Sequence, residues 1–460
     1  RCSLASVCRL VAGGLGFRTA GSGVDWRELG LIGEASGRYG FRLGAEQVTP
    51  VNDGRVPSVV QRRRVESWLA ALLQGEHLSL LIGNGLSMAV GSEIKTFPPS
   101  MSSALDAGNA TDMIRSHAAR AASDLGRKSN LEDEIRSALT LVQGYDVLGD
   151  EASRDALAGK IDFAMRGLLE GVLNFERSLL EGSRARSSQA KNAETLLQRF
   201  LLPFTSRPPQ RDRLHLYTTN YDRILEFAAD LLGLRLLDRF VGTLQPSFSA
   251  SRLDIDYHYS PPGVRGEPRL LDGVVRFGKL HGSVDWNSEY GSIVKSGLGF
   301  GADSDSPLLP AKPSETTVIY PNPAKDVETL AYPYSELFRD LAAAICRPNA
   351  VLFTYGYGFG DSHINRVIAD MLTIPSTHLV IVSRDPLDAL DSFKATNVYP
   401  EAQTTELIGP AVGSLPSFVD LTPSLVSVGF LEAQAQYAER GARFRAASGE
   451  AEDDAAQNVP

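Results

Sequence analysis

Residues 78–87, Leu-Ser-Leu-Leu-Ile-Gly-Asn-Gly-Leu-Ser, constrain the fold most, because an apolar run leads directly into a glycine turn and a serine. An apolar strand that ends in Gly-x-Gly is typical of a parallel sheet whose carboxyl edge opens a ligand site. Gly83 and Gly85 can adopt positive φ and, without a Cβ, let backbone N–H groups approach a phosphate. A tight strand-to-helix turn would have the same sequence, and Met88 replaces the third small residue of a dinucleotide-binding fingerprint. The stretch therefore leaves a phosphate-binding turn and a purely structural turn as alternatives.

The composition is that of a soluble globular protein. The chain has 460 residues, of which 43% are hydrophobic and 22% charged, and this length allows two or three domains. With 46 basic and 55 acidic residues the net charge is −9, which argues against a surface devoted mainly to nucleic acid. A partner protein could still bring DNA.

The cysteine content predicts a cytoplasmic protein. The three cysteines, Cys2, Cys8 and Cys346, form neither a disulfide framework nor a zinc tetrad by number or spacing. Arg9 interrupts the apolar residues 1–17, so we expect no secretory signal. A run of about eighteen uncharged apolar residues is lacking, which predicts no direct membrane association.

Strand and helix patterns alternate along most of the chain, and this alternation is typical of an α/β fold. The predicted strands are residues 78–82, 214–218, 274–280, 317–321, 350–355 and 378–382. The predicted helices include residues 65–74, 131–148, 161–180, 224–232, 330–345 and 362–372. The sequence therefore predicts a Rossmann-like parallel sheet with helices on both faces and an inserted helical subdomain.

The same patterns predict the domain organisation. Residues 1–60 are interpreted as an N-terminal extension, a hairpin or an arm for subunit contact, and residues 61–395 as the main domain with a helical insertion at 104–204. Residues 396–460 are interpreted as a C-terminal region with a disordered acidic tail. Beyond Asp391 the pattern of strands and helices becomes irregular.

Two further segments have expected roles outside the core. Residues 287–315 contain glycines and three prolines and are predicted to be a loop, suited to a mobile cover over a site. The charged group at the start of the helix at 131–148 is expected to be a solvated helix face; its members are Glu132, Asp133, Glu134 and Arg136.

Polar residues follow two predicted strands where each one ends. Asn220 and Asp222 come between a strand and a helix, where ligands bind in open parallel sheets, although a helix cap would explain one of the two. His281 follows the strand at 274–280, and histidine is suited to proton transfer near neutral pH. The alternative for His281 is a packed or capping residue.

A second glycine turn follows the strand at 350–355, with the sequence Gly-Tyr-Gly-Phe-Gly and then Asp361, which is well placed to cap the next helix. Ser383-Arg384-Asp385 forms a further strand end. Parallel folding would place all of these turns along one edge of the sheet. Together they indicate a ligand site.

At these places the chain resembles the sirtuin family, and in particular its prokaryotic antiphage-defence branch of NAD-consuming enzymes. Residues 83–87, Gly-Asn-Gly-Leu-Ser, are similar to the sirtuin Gly-Ala-Gly-x-Ser loop, and residues 219–222, Thr-Asn-Tyr-Asp, to Gln-Asn-Ile-Asp. Residues 280–283, Leu-His-Gly-Ser, resemble the catalytic His-Gly block, and residues 356–365 a signature of the defence branch. The resemblance covers scattered blocks between residues 65 and 390.

The resemblance implies a site for NAD+. Asn220 and Asp222 would orient the nicotinamide ribose, and His281 would act as a base on a ribose hydroxyl or on the attacking water. The cofactor-binding residues that it implies are Gly83, Asn84, Gly85, Ser87, Thr219, Gly282, Gly356, Tyr357, Gly358, Asp361, Ser383 and Asp385.

Differences between this sequence and the sirtuin family favour one of the family's activities over the others. Sirtuin deacylases have a four-cysteine zinc module after the catalytic histidine, whereas here no cysteine follows His281 until Cys346. We therefore expect no zinc, and hydrolysis of NAD+ to nicotinamide and ADP-ribose in antiphage defence. A non-catalytic subunit that binds NAD or ADP-ribose is the alternative, and a protein deacylase is the third.

The resemblance also implies partners. Defence-branch sirtuins without a fused sensor act beside another protein, so a separate sensor subunit is expected, a HerA-type ATPase first and a short Argonaute second. The helical insertion and residues 1–60 provide surfaces for a homo-oligomer.

Overall fold

A computed structural model describes residues 40–47, 49–50, 58–99, 104–123, 128–207, 211–251, 255–259, 269–289, 291–319 and 332–422. The predicted acidic tail, Cys2, Cys8 and most of the predicted N-terminal extension lie outside these residues.

The described residues contain strands and helices in alternation. The strands are β1 (Gly40–Leu43), β2 (Thr49–Pro50), β3 (His77–Ile82), β4 (Leu214–Thr218), β5 (Arg235–Leu237), β6 (Phe240–Val241), β7 (Ser247–Phe248), β8 (His258–Tyr259), β9 (Arg269–Leu270), β10 (Val274–Lys279), β11 (Gly282–Glu289), β12 (Ser292–Lys295), β13 (Thr317–Ile319), β14 (Ala350–Tyr355), β15 (His378–Ser383) and β16 (Thr404–Ile408). The helices are α1 (Val59–Leu73), α2 (Gly85–Ile94), α3 (Thr111–Ser123), α4 (Leu131–Leu148), α5 (Glu151–Arg184), α6 (Ser188–Thr205), α7 (Ile224–Leu232), α8 (Pro313–Thr316), α9 (Tyr334–Ile345), α10 (Ser362–Leu372), α11 (Asp388–Thr396), α12 (Pro410–Gly413) and α13 (Leu415–Leu421).

Nine of the strands form one sheet in the order β2-β1-β16-β15-β14-β3-β4-β10-β5. The seven strands from β16 to β5 pair in parallel, and β1 and β2 are antiparallel at one edge. The α/β prediction is confirmed in this form: the sheet is mixed but mostly parallel, consistent with a Rossmann-like fold.

Helices cover both faces of this sheet because alternate side chains of each strand point to opposite faces. In β3, Leu80 and Ile82 join a core with helices α1, α2, α6 and α7, whereas Leu81 joins the opposite core with α9, α10 and α11. The central strands are therefore apolar on both sides, and for this reason they are recognisable as short continuous apolar runs.

Local capping sequences fix several helix boundaries. Ser58 and Gln61 form a capping box, so α1 begins six residues before the predicted position at 65. Asn130 and Asp133 form a second capping box at the start of α4, and Gly149 ends that helix in the left-handed conformation. The predicted bounds of α4, 131–148, are confirmed.

Five helices, α2 to α6, lie between β3 and its neighbour β4. Helices α3, α4 and the first half of α5 share a small core that includes Ile114, Ile135 and Ile161. The second half of α5 instead packs Phe175 and Leu179 into the main core. Since α5 belongs to both cores, its 34 residues connect the helical segment rigidly to the sheet. The boundaries predicted for an insertion at 104–204 stay a prediction.

A second sheet corrects part of the prediction that residues 287–315 are a loop: residues 287–289 and 292–295 are strands, whereas residues 296–312 contain neither helix nor strand, as predicted. Strands β11 and β12 form a hairpin in a five-stranded sheet of order β13-β11-β12-β7-β6. Trp286 packs on Phe240 and Phe248, with ring centroids 4.8 and 6.3 Å away. Phe240 and Phe248 are distant from Trp286 in sequence, whereas the glycines and prolines of residues 287–315 favour a loop. For this reason the strands in this segment were not predicted.

The edge of the main sheet agrees with the sequence in one respect and differs in another. Strand β1 pairs antiparallel with β2, in line with the hairpin alternative for the N-terminal extension. It also pairs with β16, from Gly40 with Ile408 to Leu43 with Thr405, and β16 pairs in parallel with β15, so residues beyond 391 are more regular than the sequence predicts. The domain boundaries at residues 60 and 395 stay predictions.

Within the described segments, a search for a helix long and apolar enough to span a membrane found none.

The close contact between the glycine turns at Gly85 and Gly356 leads to a prediction about stability. Gly356 has φ +59°, and a Cβ there would lie 2.5 Å from Gly85 Cα, whereas a Cβ on Gly358 would meet no atom within 4 Å. Gly356→Ala should lower the free energy of unfolding by about 2–4 kcal/mol, because strain and a backbone clash combine. Gly358→Ala is the matched control and should change it by less than about 0.5 kcal/mol. Urea denaturation measures both, and equal effects would contradict the close contact.

Candidate functional site

The parallel strands bring four polar turns to one pocket at their carboxyl ends. The strand order reverses at β3, which lies between β4 and β14, and ligands of open α/β sheets bind beside such a reversal. The residues that line the pocket are Asn84, Pro98, Pro99, Glu132, Val172, Thr219, Asn220, Tyr221, Asp222, His281 and Asp361.

The pocket contains about 140 Å³ of space. A cavity of about 150 Å³ holds a benzene molecule. The pocket therefore has room for one six-membered ring, and the remainder of a dinucleotide would have to extend beyond it.

Ser87 connects Asn220 to Asp222. Its Oγ donates to Asp222 Oδ2 at 2.7 Å and accepts from Asn220 Nδ2 at 2.9 Å. Because the single hydroxyl proton of Ser87 is used on the carboxylate, only the NH2 group of Asn220 can face Ser87. The Asn220 backbone N–H also donates to Thr218 Oγ1 at 3.0 Å, so both ends of the residue are fixed.

This arrangement leaves the side-chain carbonyl oxygen of Asn220 without a partner among the described residues. Asn220 is only 7% exposed, and its Oδ1 is buried with no hydrogen bond to any described residue. A buried acceptor without a donor costs about 1–3 kcal/mol. The Asn220 side chain is therefore held beside the pocket at a cost in free energy.

Asp222 is a buried carboxylate held by neutral and cationic groups. Burial raises the pKa of Asp222 above its ordinary value, against the opposing hydrogen bond from Ser87 and the positive charge of Lys279. Asp222 Oδ1 also accepts from the N–H of Ile224, the first residue of α7, at 3.2 Å. The cap position of this helix is occupied by Arg223, so Asp222 is not its N-cap residue.

Lys279, at the end of β10, fixes the turn that carries these residues. Its Nζ donates to the carbonyl oxygens of Asp222 and Tyr221 at 2.6 and 3.3 Å, and it is 3.2 Å from Glu226 Oε1. The side chain is only 1% exposed. An ammonium this deeply buried is tolerated because oxygens surround it.

His281 lies at the end of β10 and faces a carboxylate from another turn. Its Nε2 is 3.7 Å from Asp361 Oδ1. Asp361 occupies the predicted cap position of α10, but its side chain makes no hydrogen bond to the described backbone of that helix. The prediction placed Asp361 correctly in sequence, whereas its carboxylate is turned toward the pocket.

Glu132 overturns the expectation of a solvated helix face at the start of α4. The Tyr221 hydroxyl donates to Glu132 Oε1, and both residues line the pocket. Asp133 and Glu134 are only 2% and 8% exposed, and Glu134 accepts from the Leu105 N–H at 2.6 Å. The charges of this turn are buried because helix α4 packs against its helical neighbours, and its first turn contacts Tyr221 in the turn after β4.

The segment predicted as a mobile cover is instead fastened beside the site. Arg223 forms a buried ion pair with Glu176 at 2.6 Å and donates to the carbonyl oxygens of Leu298 and Gly299 at 2.6 and 2.8 Å. The ring of Phe300 stacks on Phe227, with centroids 5.1 Å apart. These contacts hold residues 298–300 against α5 and α7.

The two glycine turns pack on each other. A Cβ on Gly83 would lie 2.5 Å from Gly356 O, and one on Gly85 would lie 2.5 Å from Gly356 Cα. The N–H groups of Gly83 and Gly85 donate to the carbonyl oxygens of Tyr355 and Gly356 at 3.0 and 3.1 Å. The structural alternative thus accounts for these glycines, and their contact with a phosphate stays a prediction.

The predicted site residues divide into two groups by position. Those on the pocket wall are Asn84, Thr219, Asn220, Asp222, His281 and Asp361. Those that do not line it are Gly83, Gly85, Ser87, Gly282, Gly356, Tyr357, Gly358, Ser383 and Asp385. Among the latter, the Tyr357 hydroxyl donates to Asn365 Oδ1 at 3.0 Å, and Ser383 Oγ donates to Asp385 O at 2.6 Å. Their roles in cofactor binding stay predictions.

Sequence reasoning missed Glu132, Tyr221 and Lys279. Tyr221 lies between two predicted residues, and Lys279 lies two positions before His281, so their neighbourhood was a usable signal. Glu132 carried no such signal, because its helix reaches the pocket only through tertiary packing.

A comparison with known protein families finds a match for part of the chain. Residues 214–400, less than half of it, match the family described as SIR2-like domain. The matched part includes Asn220, Asp222, His281 and the turn at 356–361, whereas residues 83–87 lie outside it. A search of curated proteins found no match. The family match supports a sirtuin-like domain and suggests an NAD-related function.

No group of three or more His, Cys, Asp or Glu side chains suited to a metal ion was found in the described ranges.

The raised pKa of Asp222 leads to a prediction about how the stability of the protein depends on pH. Because burial raises its pKa above the ordinary value of 3.8, the ionised form is less stable in the fold than in water. The contribution of Asp222 to the free energy of unfolding is most favourable below pH 3.8. It is lost as the pH rises through the pKa that Asp222 has in the folded protein. Asp222→Asn should therefore be at least as stable as the wild type at pH 7, with Ser87 reversing its hydroxyl.

Denaturation curves between pH 4 and 7 test this expectation. The advantage of Asp222→Asn should shrink toward the acid end. A variant that is clearly less stable than the wild type at pH 7 would show that the ionised carboxylate is net stabilising.

Proposed function

We propose that the protein hydrolyses NAD+ to nicotinamide and ADP-ribose. The observation that carries the proposal is the convergence of Asn220, Asp222 and His281 on one pocket, although they are up to 61 positions apart in the sequence. All three lie within the part of the chain that matches the SIR2-like family.

The residue types suit cleavage of a glycosidic bond to a good leaving group. In the proposed reaction the bond between the ribose C1′ and the nicotinamide nitrogen breaks, and its electron pair goes to the ring nitrogen. Water adds to C1′, and the proton that it loses passes through His281 to solvent. Such a reaction proceeds through an oxocarbenium-like state, which needs positioned oxygen atoms and a pocket that limits water.

The negative charge of the pocket supports a substrate orientation in which the nicotinamide end enters the pocket. Glu132, Asp222 and Asp361 line it, while no lysine or arginine does so among the described residues. An acidic pocket favours the cationic nicotinamide ring over the phosphates. The volume, sufficient for a single ring, agrees with the nicotinamide end.

Hydrolysis is favoured over deacylation by the cysteine content. The chain has three cysteines, and only Cys346 follows His281, so the zinc-supported lobe of the deacylases has no counterpart in the sequence. Water is then the acceptor of the ADP-ribosyl group.

The proposed setting is antiphage defence by depletion of NAD+ in the cytoplasm. By analogy with the defence branch, the chain would form a homo-oligomer and act with a separate sensor subunit, a HerA-type ATPase first or a short Argonaute second. Native mass measurement of the chain alone and co-expressed with each candidate, with a parallel NAD+ assay, tests this. A stable larger complex with altered NAD+ turnover is the expected result.

Variants of two pocket residues test the chemistry. Asn220→Ala and His281→Ala should each lower NAD+ cleavage by about 10²-fold or more, since each removes a group that acts on the reacting sugar. Release of nicotinamide and ADP-ribose is followed by chromatography. His258→Ala, an exposed histidine in β8, is the control and should retain full activity.

Two results would contradict the hydrolase. Unchanged turnover in both pocket variants would remove these residues from the reaction. Tight NAD+ binding without turnover, in the presence of the partner, would favour the non-catalytic subunit that binds NAD or ADP-ribose.

A further inference from the structure

Helix α4 delivers a carboxylate to the pocket from outside the matched family segment. Glu132 lies in the first turn of α4, one position after Leu131, whereas the family match begins at residue 214. The site therefore includes a carboxyl group that the family match does not cover.

The position of Glu132 is fixed from two sides. The capping box of Asn130 and Asp133 holds the start of α4, and the Tyr221 hydroxyl donates to Glu132 Oε1. Burial and the nearby carboxylate raise the pKa of Tyr221 well above its ordinary value, so this hydroxyl remains a neutral donor. The carboxylate is thus held next to the turn that contains Asn220.

Glu132 and Asp361 contribute carboxyl groups to a pocket wall that also contains apolar side chains, among them Pro98, Pro99 and Val172. Carboxylates select a ligand group that carries positive charge or hydrogen-bond donors. The oxidised nicotinamide ring with its carboxamide has both.

We propose that Glu132 recognises the positive charge of the oxidised nicotinamide ring and so makes the pocket selective for NAD+ over NADH. The proposal rests on the proposed function, since it takes NAD+ as the ligand. It assigns to the helical segment between β3 and β4 a direct part in substrate selection.

A purely structural role for Glu132 makes a different prediction. If the contact with Tyr221 only fastens α4 to the turn, then the hydrogen bond matters and the charge does not. Glu132→Gln keeps an acceptor for the Tyr221 hydroxyl but removes the charge, whereas Tyr221→Phe removes the hydrogen bond and keeps the charge. The two variants therefore separate charge recognition from attachment.

Titration calorimetry with NAD+, NADH and ADP-ribose tests the proposal on the full chain, with every protein carrying His281→Ala so that NAD+ is not consumed during the titration. With Glu132 present, this chain should bind NAD+ about tenfold or more tightly than NADH, since one opposite charge at close range is worth about a factor of ten. In Glu132→Gln this ratio should fall toward one, while the affinity for ADP-ribose, which lacks the ring, should change by less than about twofold.

Glu151→Gln removes one exposed charge from the start of α5 and should retain the full preference for NAD+. Tyr221→Phe keeps the Glu132 carboxylate but loses one of its two restraints, so the preference should fall less than in Glu132→Gln. Circular dichroism confirms that each variant is folded.

Each remaining outcome is decisive. An unchanged ratio in Glu132→Gln, or an equal loss in Glu132→Gln and Tyr221→Phe, overturns charge recognition. If the wild type binds NAD+ selectively but does not cleave it, the hydrolase proposal fails while the role of Glu132 stands. If it binds none of the three ligands, both proposals fail.

Discussion

The register of four parallel strands is the constraint on which the site depends. Ile82 of β3 pairs with Thr218 of β4 on one side and with Tyr355 of β14 on the other, and Thr218 pairs with Lys279 of β10. The four strands thus end in one row, and the turns that follow begin at the same level. A shift of one residue in any of these pairings would turn its core side chains to the wrong face. The hydrophobic core of the sheet therefore determines where the polar residues of the pocket lie.

The turns themselves are held by buried charges. Lys279 binds the carbonyl oxygens of Tyr221 and Asp222, and Arg223 pairs with Glu176 of α5. Breaking one such pair typically costs about 3–5 kcal/mol, because the remaining charge is left buried. The polar turn is consequently rigid, although Asp222 and the unpaired carbonyl of Asn220 make it locally unfavourable. A site that is destabilised in itself and fixed by its surroundings is typical of function.

The helical segment between β3 and β4 contributes to the site as well as to the core. Helix α5 extends from the small helical core through Val172 on the pocket wall to Phe175 in the main core, and α4 supplies Glu132. A protein that moved this segment would change the pocket directly.

The sequence by itself determined the strands and the residues at their ends. The apolar runs at 214–218 and 350–355 and the helix at 362–372 have the predicted bounds, because their burial on both faces or their regular period is written in consecutive residues. Asn220 and His281 were placed on one sheet edge for the same reason. Tertiary structure alone decided the pairing of β1 with β16, the second sheet around Trp286 and the entry of Glu132 into the pocket. These features depend on contacts between residues far apart in the chain, and a local pattern carries no information about which distant partner will be within reach.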